Sequence, residues 1–169
     1  MTMATKTLLT EEEYLAMSFD DQAPEYVDGE LVERALPNNS HSKTQHKFSR
    51  AFGRLEERLP IYVRPELRLR VAPRKYRIAD LVVYAHEEPV EELPAQVPLV
   101  VVEIVSPDDK YAELMKKLEE YRAWGVPHVW LADPALRRIC VYRDGGLVPV
   151  AVLELPEFGV QIPVEEILG

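Results

Sequence analysis

The sequence has few cysteines and no long apolar run, and each absence narrows the class of protein it belongs to. Its single cysteine, Cys140, excludes an intramolecular disulfide and is too few for a thiolate metal site. No apolar stretch approaches the roughly 20 residues of a membrane-spanning helix. The N-terminal residues lack the apolar core of a signal peptide. We therefore expect a cytoplasmic protein with no membrane partner.

The chain also lacks a net positive charge, because 29 Asp and Glu residues outnumber 20 Lys and Arg residues and give a net charge of −9 at pH 7. Such a balance argues against indiscriminate coating of nucleic acid. One segment is an exception: between Lys43 and Arg77, eleven Lys or Arg residues outnumber three acids, so that this segment alone carries +8. This basic segment is either a phosphate-facing surface or a solvated face that pairs with the acidic remainder of the chain.

Length and composition predict a single globular domain over residues 1–169, with 47% apolar and 29% charged residues. A capping box at Thr10–Glu13 predicts a short helix, and Asp28-Gly29 predicts the turn of a hairpin. A 3, 4 spacing of apolar residues predicts a long helix from His41 to about Leu59. Further patterns predict strands over 61–71, 77–84, 99–105 and 128–132, a helix from near Lys110 to Gly125 capped by Asp108 or Asp109, and a hairpin of 138–143 with 147–153. This order predicts an α/β fold in which helices flank a mixed sheet.

One carboxylate interrupts the most apolar stretch of the chain. Leu99–Val105 is a run of mostly β-branched residues, typical of a strand buried on both faces, and Glu103 lies inside it. An ionised carboxylate there needs a cation or a proton. Asp80 is similarly isolated among the apolar residues of the preceding predicted strand. If the two strands are antiparallel neighbours, both carboxylates approach each other, and Mg²⁺ or Mn²⁺ is the ion that such oxygen ligands favour.

The helix after this strand offers a cationic partner. Its apolar stripe includes Leu118 and Tyr121, and Lys117 lies about 40° from Tyr121 around the helix axis. Lys117 is therefore the lysine that can reach back toward Glu103. The competing interpretation is structural: an arginine such as Arg68 or Arg70 neutralises Glu103, Arg77 neutralises Asp80, and Lys117 extends along an apolar surface into water.

These residues resemble the Uma-type family of restriction-endonuclease-like proteins, a branch of the PD-(D/E)XK superfamily. The resemblance covers roughly residues 9–143 and rests on the order and spacing of several short motifs. These are Leu9-Thr10 with Tyr14, Glu25–Val32, His41, Ala79–Val83, Val102–Pro107 and Lys117–Pro134. The resemblance implies a restriction-endonuclease-like αβββαβ core, with a β-hairpin near each end of the chain. Ala79 departs from the family pattern, which usually has proline there.

The resemblance also implies a function. It implies a Mg²⁺- or Mn²⁺-dependent endonuclease that hydrolyses phosphodiester bonds in DNA. Asp80 and Glu103 would bind the metal, Glu25 would assist, and Lys117 would replace the usual strand lysine, whose position Val105 takes. Cutting both strands of a duplex favours a homodimer. The predicted nucleic-acid contacts are His41, Lys43, Lys47 and Arg50. The alternative function is a non-catalytic domain that keeps the fold and binds nucleic acid or a protein.

Overall fold

The computed structural model describes residues 8–169. Two predictions extend into residues 1–7, which lie outside this description. They are the single domain over residues 1–169 and the lack of a signal-peptide core. Within residues 8–169 the order of helices and strands is α1 (Glu11–Ala16), β1 (Glu25–Val27), β2 (Glu30–Val32), α2 (Asn39–Glu56), β3 (Ile61–Ala72), β4 (Lys75–Ala85), β5 (Val100–Ile104), α3 (Tyr111–Trp124), β6 (His128–Asp133), β7 (Arg138–Arg143), β8 (Gly146–Val150), β9 (Val152–Leu155), β10 (Val160–Pro163) and α4 (Val164–Leu168). None of these helices has the length and apolar character needed to cross a bilayer.

The main sheet is mixed and has eight strands. Seven of them follow the order β2-β1-β4-β5-β6-β7-β8, and β3 pairs with β4. β5 and β6 are parallel and every other pair is antiparallel. A parallel pair needs a long crossover connection, and α3 provides it. The elements α2-β3-β4-β5-α3-β6 form the predicted αβββαβ core, and both predicted hairpins are present, so the predicted fold class is confirmed.

Apolar side chains pack on both faces of this sheet. On one face α2 contributes Phe48, Phe52 and Leu55, and the Phe52 ring lies 6.0 Å from the Trp130 ring between centroids. On the other face α3 contributes Leu118 and Tyr121, both fully buried. The central strand β5 is therefore covered on both sides, which is why its sequence is almost continuously apolar.

Local capping follows the sequence at three helix ends and departs from it at one. Thr10 forms the predicted capping box with Glu13, Asn38 caps α2, and Gly125 ends α3 with φ 109°. The predicted cap of α3 by Asp108 or Asp109 is wrong, because the N-cap residue is Lys110 and no side chain bonds there. Asp109 instead accepts a hydrogen bond from the Ser106 N–H (2.7 Å) and closes the turn that follows β5.

The C-terminal segment also differs from the prediction in detail. The second strand of the 138–143 hairpin ends at Val150 rather than continuing to Leu153. Residues 152–155 and 160–163 instead form a separate two-stranded antiparallel sheet. Leu153, Leu155 and Ile162 from this small sheet are buried in the same apolar cluster as α2. The segment therefore covers one face of the main sheet instead of lengthening its edge.

Substitutions at two glycines test the helix assignments, because Gly125 has a positive φ at the end of α3 and Gly53 lies inside α2. Gly125 has φ 109°, where an added Cβ is strained although it meets no atom closer than 3.9 Å. Gly53 lies within α2 and an added Cβ there meets nothing within 4 Å. We expect Gly125→Ala to lower the free energy of unfolding by about 1–2 kcal/mol. Gly53→Ala should raise it by about 0.5–1 kcal/mol. Urea unfolding followed by circular dichroism measures both, and changes of the same sign would contradict these assignments.

Candidate active site

A cavity of about 500 Å³ opens where the first hairpin, the start of α2 and the start of α3 meet the main sheet. Its walls are unusually rich in charged side chains contributed by separate parts of the chain. Those with a direct bearing on chemistry are Glu25, Arg34, His41, Asp80, Glu103 and Lys117. A concave site with convergent ionisable groups is the usual setting for catalysis.

Asp80 and Glu103 face each other across neighbouring antiparallel strands. Leu81 pairs with Val102 in the β4/β5 register, and continuing this register by one residue places Asp80 opposite Glu103. Both carboxylates are buried, each residue being 4% exposed. Oδ2 of Asp80 accepts the Ile104 backbone N–H at 2.7 Å. The sheet therefore orients the Asp80 carboxylate and leaves Oδ1 for other partners.

Lys117 lies between two buried carboxylates. Its Nζ is 2.7 Å from Oε1 of Glu25 and 2.9 Å from Oε1 of Glu103. It also donates a hydrogen bond to the Ile78 carbonyl at 2.8 Å. Tyr121, one turn further along α3, donates a hydrogen bond from its hydroxyl to Oε1 of Glu103 at 2.8 Å. The helix thus brings both a cation and a hydroxyl to the carboxylate that interrupts β5.

The arginines considered as structural partners contact other groups. Glu103 is held by α3 and not by Arg68 or Arg70, because α3 packs over the sheet at this point. Arg77 binds Oε2 of Glu25 at 2.8 Å and Oε2 of Glu120 at 2.6 Å, so its guanidinium is used by these two acids and not by Asp80. Glu25 also accepts the Ile78 N–H at 2.8 Å. These contacts fix Glu25 in place beside Lys117.

Burial and neighbouring charges shift the pKa values of three members of this cluster. The pKa of Glu103 is raised to about 8, mainly by burial, with Asp80 and Glu25 also raising it and Lys117 opposing them. Burial disfavours the Lys117 ammonium, but the three carboxylates outweigh it and raise the pKa of Lys117 above its ordinary value. Burial also acts to raise the pKa of Glu25, yet Lys117 and Arg77 lower it overall. The raised pKa of Lys117 favours its charged form, whereas the raised pKa of Glu103 shows that burial disfavours its ionised form.

The donor set fits a divalent cation held by two carboxylates. No group of three or more His, Cys, Asp or Glu residues within the described range 8–169 is placed to hold a metal ion. Mg²⁺ commonly binds through one or two carboxylates and completes its shell with water and substrate phosphate oxygens. The facing pair of Asp80 and Glu103, with the raised pKa of Glu103, suits such a site.

The predicted nucleic-acid contacts occupy two different environments. His41 is 5% exposed, and its Nε2 lies 3.2 Å from Oδ1 of Asp80. Burial acts to lower the pKa of His41, but its bond with Asp80 raises it overall. Lys43 and Arg50 are exposed on α2, and Lys47 is half-buried. The structure thus places His41 in the cavity and the three cations further along the helix surface.

Two side chains that contact Asp80 were not expected from the sequence. Arg34 follows β2 and lies 3.4 Å from Oδ1 of Asp80 through a terminal guanidinium nitrogen. Gln45, on α2, donates a hydrogen bond to the backbone carbonyl of Asp80 at 2.8 Å. Neither residue belongs to a local motif, since each contact depends on how a distant segment packs against β4. The contact of Tyr121 with Glu103 could have been expected from the sequence, because a buried tyrosine hydroxyl requires a hydrogen-bond partner.

The chain is similar in sequence and in fold to proteins described as putative nucleases. The family described as "Putative restriction endonuclease", Uma2, matches residues 11–169. Among solved structures, the chain is similar to a "putative nuclease belonging to DUF820" from Anabaena variabilis ATCC 29413, with a TM-score of 0.83 and 20% identity over 95% of this chain and 97% of the other. At that identity the similarity establishes the fold. No curated protein matches the sequence.

The buried pairing of Arg77 predicts a large effect on stability. Arg77→Met leaves Glu25 and Glu120 without this partner in a buried place, so we expect unfolding free energy to fall by about 3–5 kcal/mol. The matched control is Arg70→Met, because Arg70 is 45% exposed and pairs with Glu11 at 3.0 Å. The control should cost less than about 1 kcal/mol. Urea unfolding compares the two variants, and equal losses would refute the structural role assigned to Arg77.

Proposed function

Because the chain belongs to the Uma2 family, described as "Putative restriction endonuclease", we propose that it is a divalent-metal-dependent endonuclease that hydrolyses phosphodiester bonds in DNA. The observation that carries this proposal is the facing pair of Asp80 and Glu103 with Lys117 in contact with Glu103. Buried carboxylates need a compensating cation or proton. Asp80 and Glu103 both line an open cavity, where an ion and a substrate can reach them.

In this proposal Asp80 and Glu103 would hold one Mg²⁺ or Mn²⁺ ion. Such an ion would activate a water and neutralise charge on the phosphate. Both ligands are rigid, because Asp80 is fixed by the Ile104 N–H and Glu103 by Tyr121. Such rigidity keeps the ligand oxygens in position before the substrate arrives. The cavity of about 500 Å³ leaves room for a phosphodiester beside them.

Lys117 is the proposed catalytic cation. The strand position two residues after Glu103, where the superfamily usually has lysine, is Val105, and α3 brings Lys117 to Glu103 instead. A lysine that remains protonated can orient the attacking water or stabilise the pentavalent phosphate. Glu25 acts as a positioning residue, since its Oε1 is 2.7 Å from Nζ of Lys117 and Arg77 fixes its other oxygen.

The proposed DNA contacts begin at the cavity and continue along α2. His41 is in the first turn of the helix beside Asp80, while Lys43, Lys47 and Arg50 follow on its accessible surface. Cations along a helix suit the regularly spaced phosphates of a nucleic-acid backbone. We propose a homodimer because cleavage of both strands of a duplex requires two such sites.

A second candidate function also has a specific observation in its favour. Oδ1 of Asp80 lies close to both His41 and Arg34, and Glu103 contacts Lys117, so each acid already has a cationic neighbour. In a domain that binds nucleic acid without cutting it, these ion pairs would persist and no metal ion would replace them. Cleavage and metal-binding assays separate the two functions.

The first assay measures nicking of supercoiled plasmid with Mg²⁺ or Mn²⁺. We expect Asp80→Asn and Glu103→Gln to reduce the rate by about 100-fold or more, because each removes a charge that holds the metal ion. Glu113→Gln is the matched control, since Glu113 is an exposed acid at the same cavity and should leave the rate almost unchanged. Equal residual cleavage by the wild type and Glu103→Gln would eliminate the enzyme interpretation.

A second assay measures metal binding without DNA. Mn²⁺ at about 100 times its dissociation constant should stabilise the wild type by about 2.7 kcal/mol, which thermal unfolding detects as a higher Tm. We expect Asp80→Asn to abolish this increase and Glu113→Gln to retain it. Stabilisation of all three proteins to the same extent would place the ion elsewhere, and the proposed ligands would be incorrect.

A further inference from the structure

A guanidinium beside Asp80 has no role in the function described so far. Arg34 follows β2, its side chain is only 12% exposed, and it lines the same cavity as Asp80. One of its terminal nitrogens is 3.0 Å from Oε2 of Glu66 and 3.4 Å from Oδ1 of Asp80. The same nitrogen is therefore shared between two acids, and the shorter contact is with the acid that is not a proposed metal ligand.

Glu66 is held in place independently of Arg34. Gln45 donates from one amide nitrogen to Oε1 of Glu66 and to the backbone carbonyl of Asp80, both at 2.8 Å. Glu66 also has φ 50° in the middle of β3, a left-handed conformation that a non-glycine residue adopts at an energetic cost. Contacts such as those with Gln45 and Arg34 offset this cost. Glu66 is thus an anchor that keeps the guanidinium at the cavity.

The contact with Asp80 places Arg34 where a metal ion would bind. Oδ2 of Asp80 accepts the Ile104 N–H, so Oδ1 is the oxygen left for other partners, and both His41 (3.2 Å) and Arg34 (3.4 Å) lie beside it. Two positive groups cannot share this oxygen at full strength. If a metal ion were bound at Asp80, Arg34 would keep its contact with Glu66. Its guanidinium would then remain beside the metal site, with N–H donors available to another acceptor.

A phosphodiester is the acceptor that fits this position. Guanidinium groups present several N–H donors in a plane and bind phosphate oxygens in pairs. We propose that Arg34 covers Asp80 before metal binds and then binds a phosphodiester oxygen of the substrate, with Glu66 and Gln45 as its positioning residues. This inference rests on the proposed function, because it takes Asp80 as a metal ligand and a nucleic acid as the substrate.

The first experiment titrates Mn²⁺ into the full chain by calorimetry without DNA. Arg34→Gln removes a competitor for Oδ1, so we expect Mn²⁺ affinity to rise at least about fivefold. Lys110→Gln is the matched control: it removes one positive charge from the same cavity at a residue that does not contact Asp80. The control should change the affinity less than about twofold. Equal increases in both variants would indicate a general charge effect and overturn the inference.

Glu66 provides a test with the opposite sign. Glu66→Gln leaves Arg34 with Asp80 as its charged partner, so Mn²⁺ affinity should fall. In an Arg34→Gln background the same change should have little effect, because Glu66 acts through Arg34. An equal fall in both backgrounds would overturn the inference. If Arg34→Gln does not fold, Glu66→Gln alone decides: lower Mn²⁺ affinity supports the inference, and unchanged affinity contradicts it.

The second experiment measures binding of a short duplex with Ca²⁺ under conditions in which gel electrophoresis shows the duplex intact. Loss of one phosphate contact should reduce the slope of log K against log salt by about 0.9 in Arg34→Gln. In EDTA, where Arg34 stays on Asp80, the variant and the wild type should have the same slope. An unchanged slope with Ca²⁺ would overturn the phosphate role.

These outcomes separate the inference from the function on which it rests. If Mn²⁺ binds the wild type and Asp80→Asn equally, the metal site itself is wrong and the proposed function fails. If Asp80→Asn abolishes binding while Arg34→Gln leaves both Mn²⁺ affinity and the salt slope unchanged, only the role of Arg34 fails. Thermal unfolding without metal checks that the compared variants are folded at the assay temperature.

Discussion

The structure depends on a buried lysine between carboxylates. Lys117 contacts Glu25 and Glu103 at 2.7 and 2.9 Å, and Asp80 stands opposite Glu103 across the β4/β5 pair. Burying charge is costly unless partners compensate for it. Burial is the largest cause of the rise of the Glu103 pKa to about 8, and Asp80 and Glu25 add to it while Lys117 opposes it. Arg77 pairs with Glu25 and Arg34 lies beside Asp80, so Lys117 is the cation in contact with Glu103. The proposed function adds a divalent cation at the facing carboxylates.

The fold explains how separate segments reach one cavity. β4 pairs with β1 near Tyr76 and with β5 from Leu81 to Val83. Asp80 lies between these two paired regions, and therefore between the first hairpin and the central strand. The parallel β5/β6 pair requires a crossover, and α3 makes it while carrying Lys117 over Glu103. A solved structure with 20% identity shares this arrangement as a fold. At that identity the similarity shows the fold alone, so the proposed function rests on the family and on the residues of the cavity.

The sequence predicts the parts of the site that are encoded in local patterns. A carboxylate in a β-branched run and a lysine at the border of an apolar stripe both violate the local pattern, and the structure brings Glu103 and Lys117 into contact. The roles of Arg34 and Glu66 have no local signal, because their pairing joins segments 32 residues apart. The cap of α3 was predicted wrongly because two adjacent aspartates suit either a helix cap or the turn that Asp109 closes with Ser106.

The most direct test of this account is the position of a bound metal ion. A crystal soaked in Mn²⁺, with data collected for anomalous scattering, locates the ion without reference to activity. The account predicts one anomalous peak between the carboxylates of Asp80 and Glu103, at about 2.0–2.3 Å from their oxygens. A protein without such a peak at saturating Mn²⁺, or with its only strong peak away from these two residues, would contradict it.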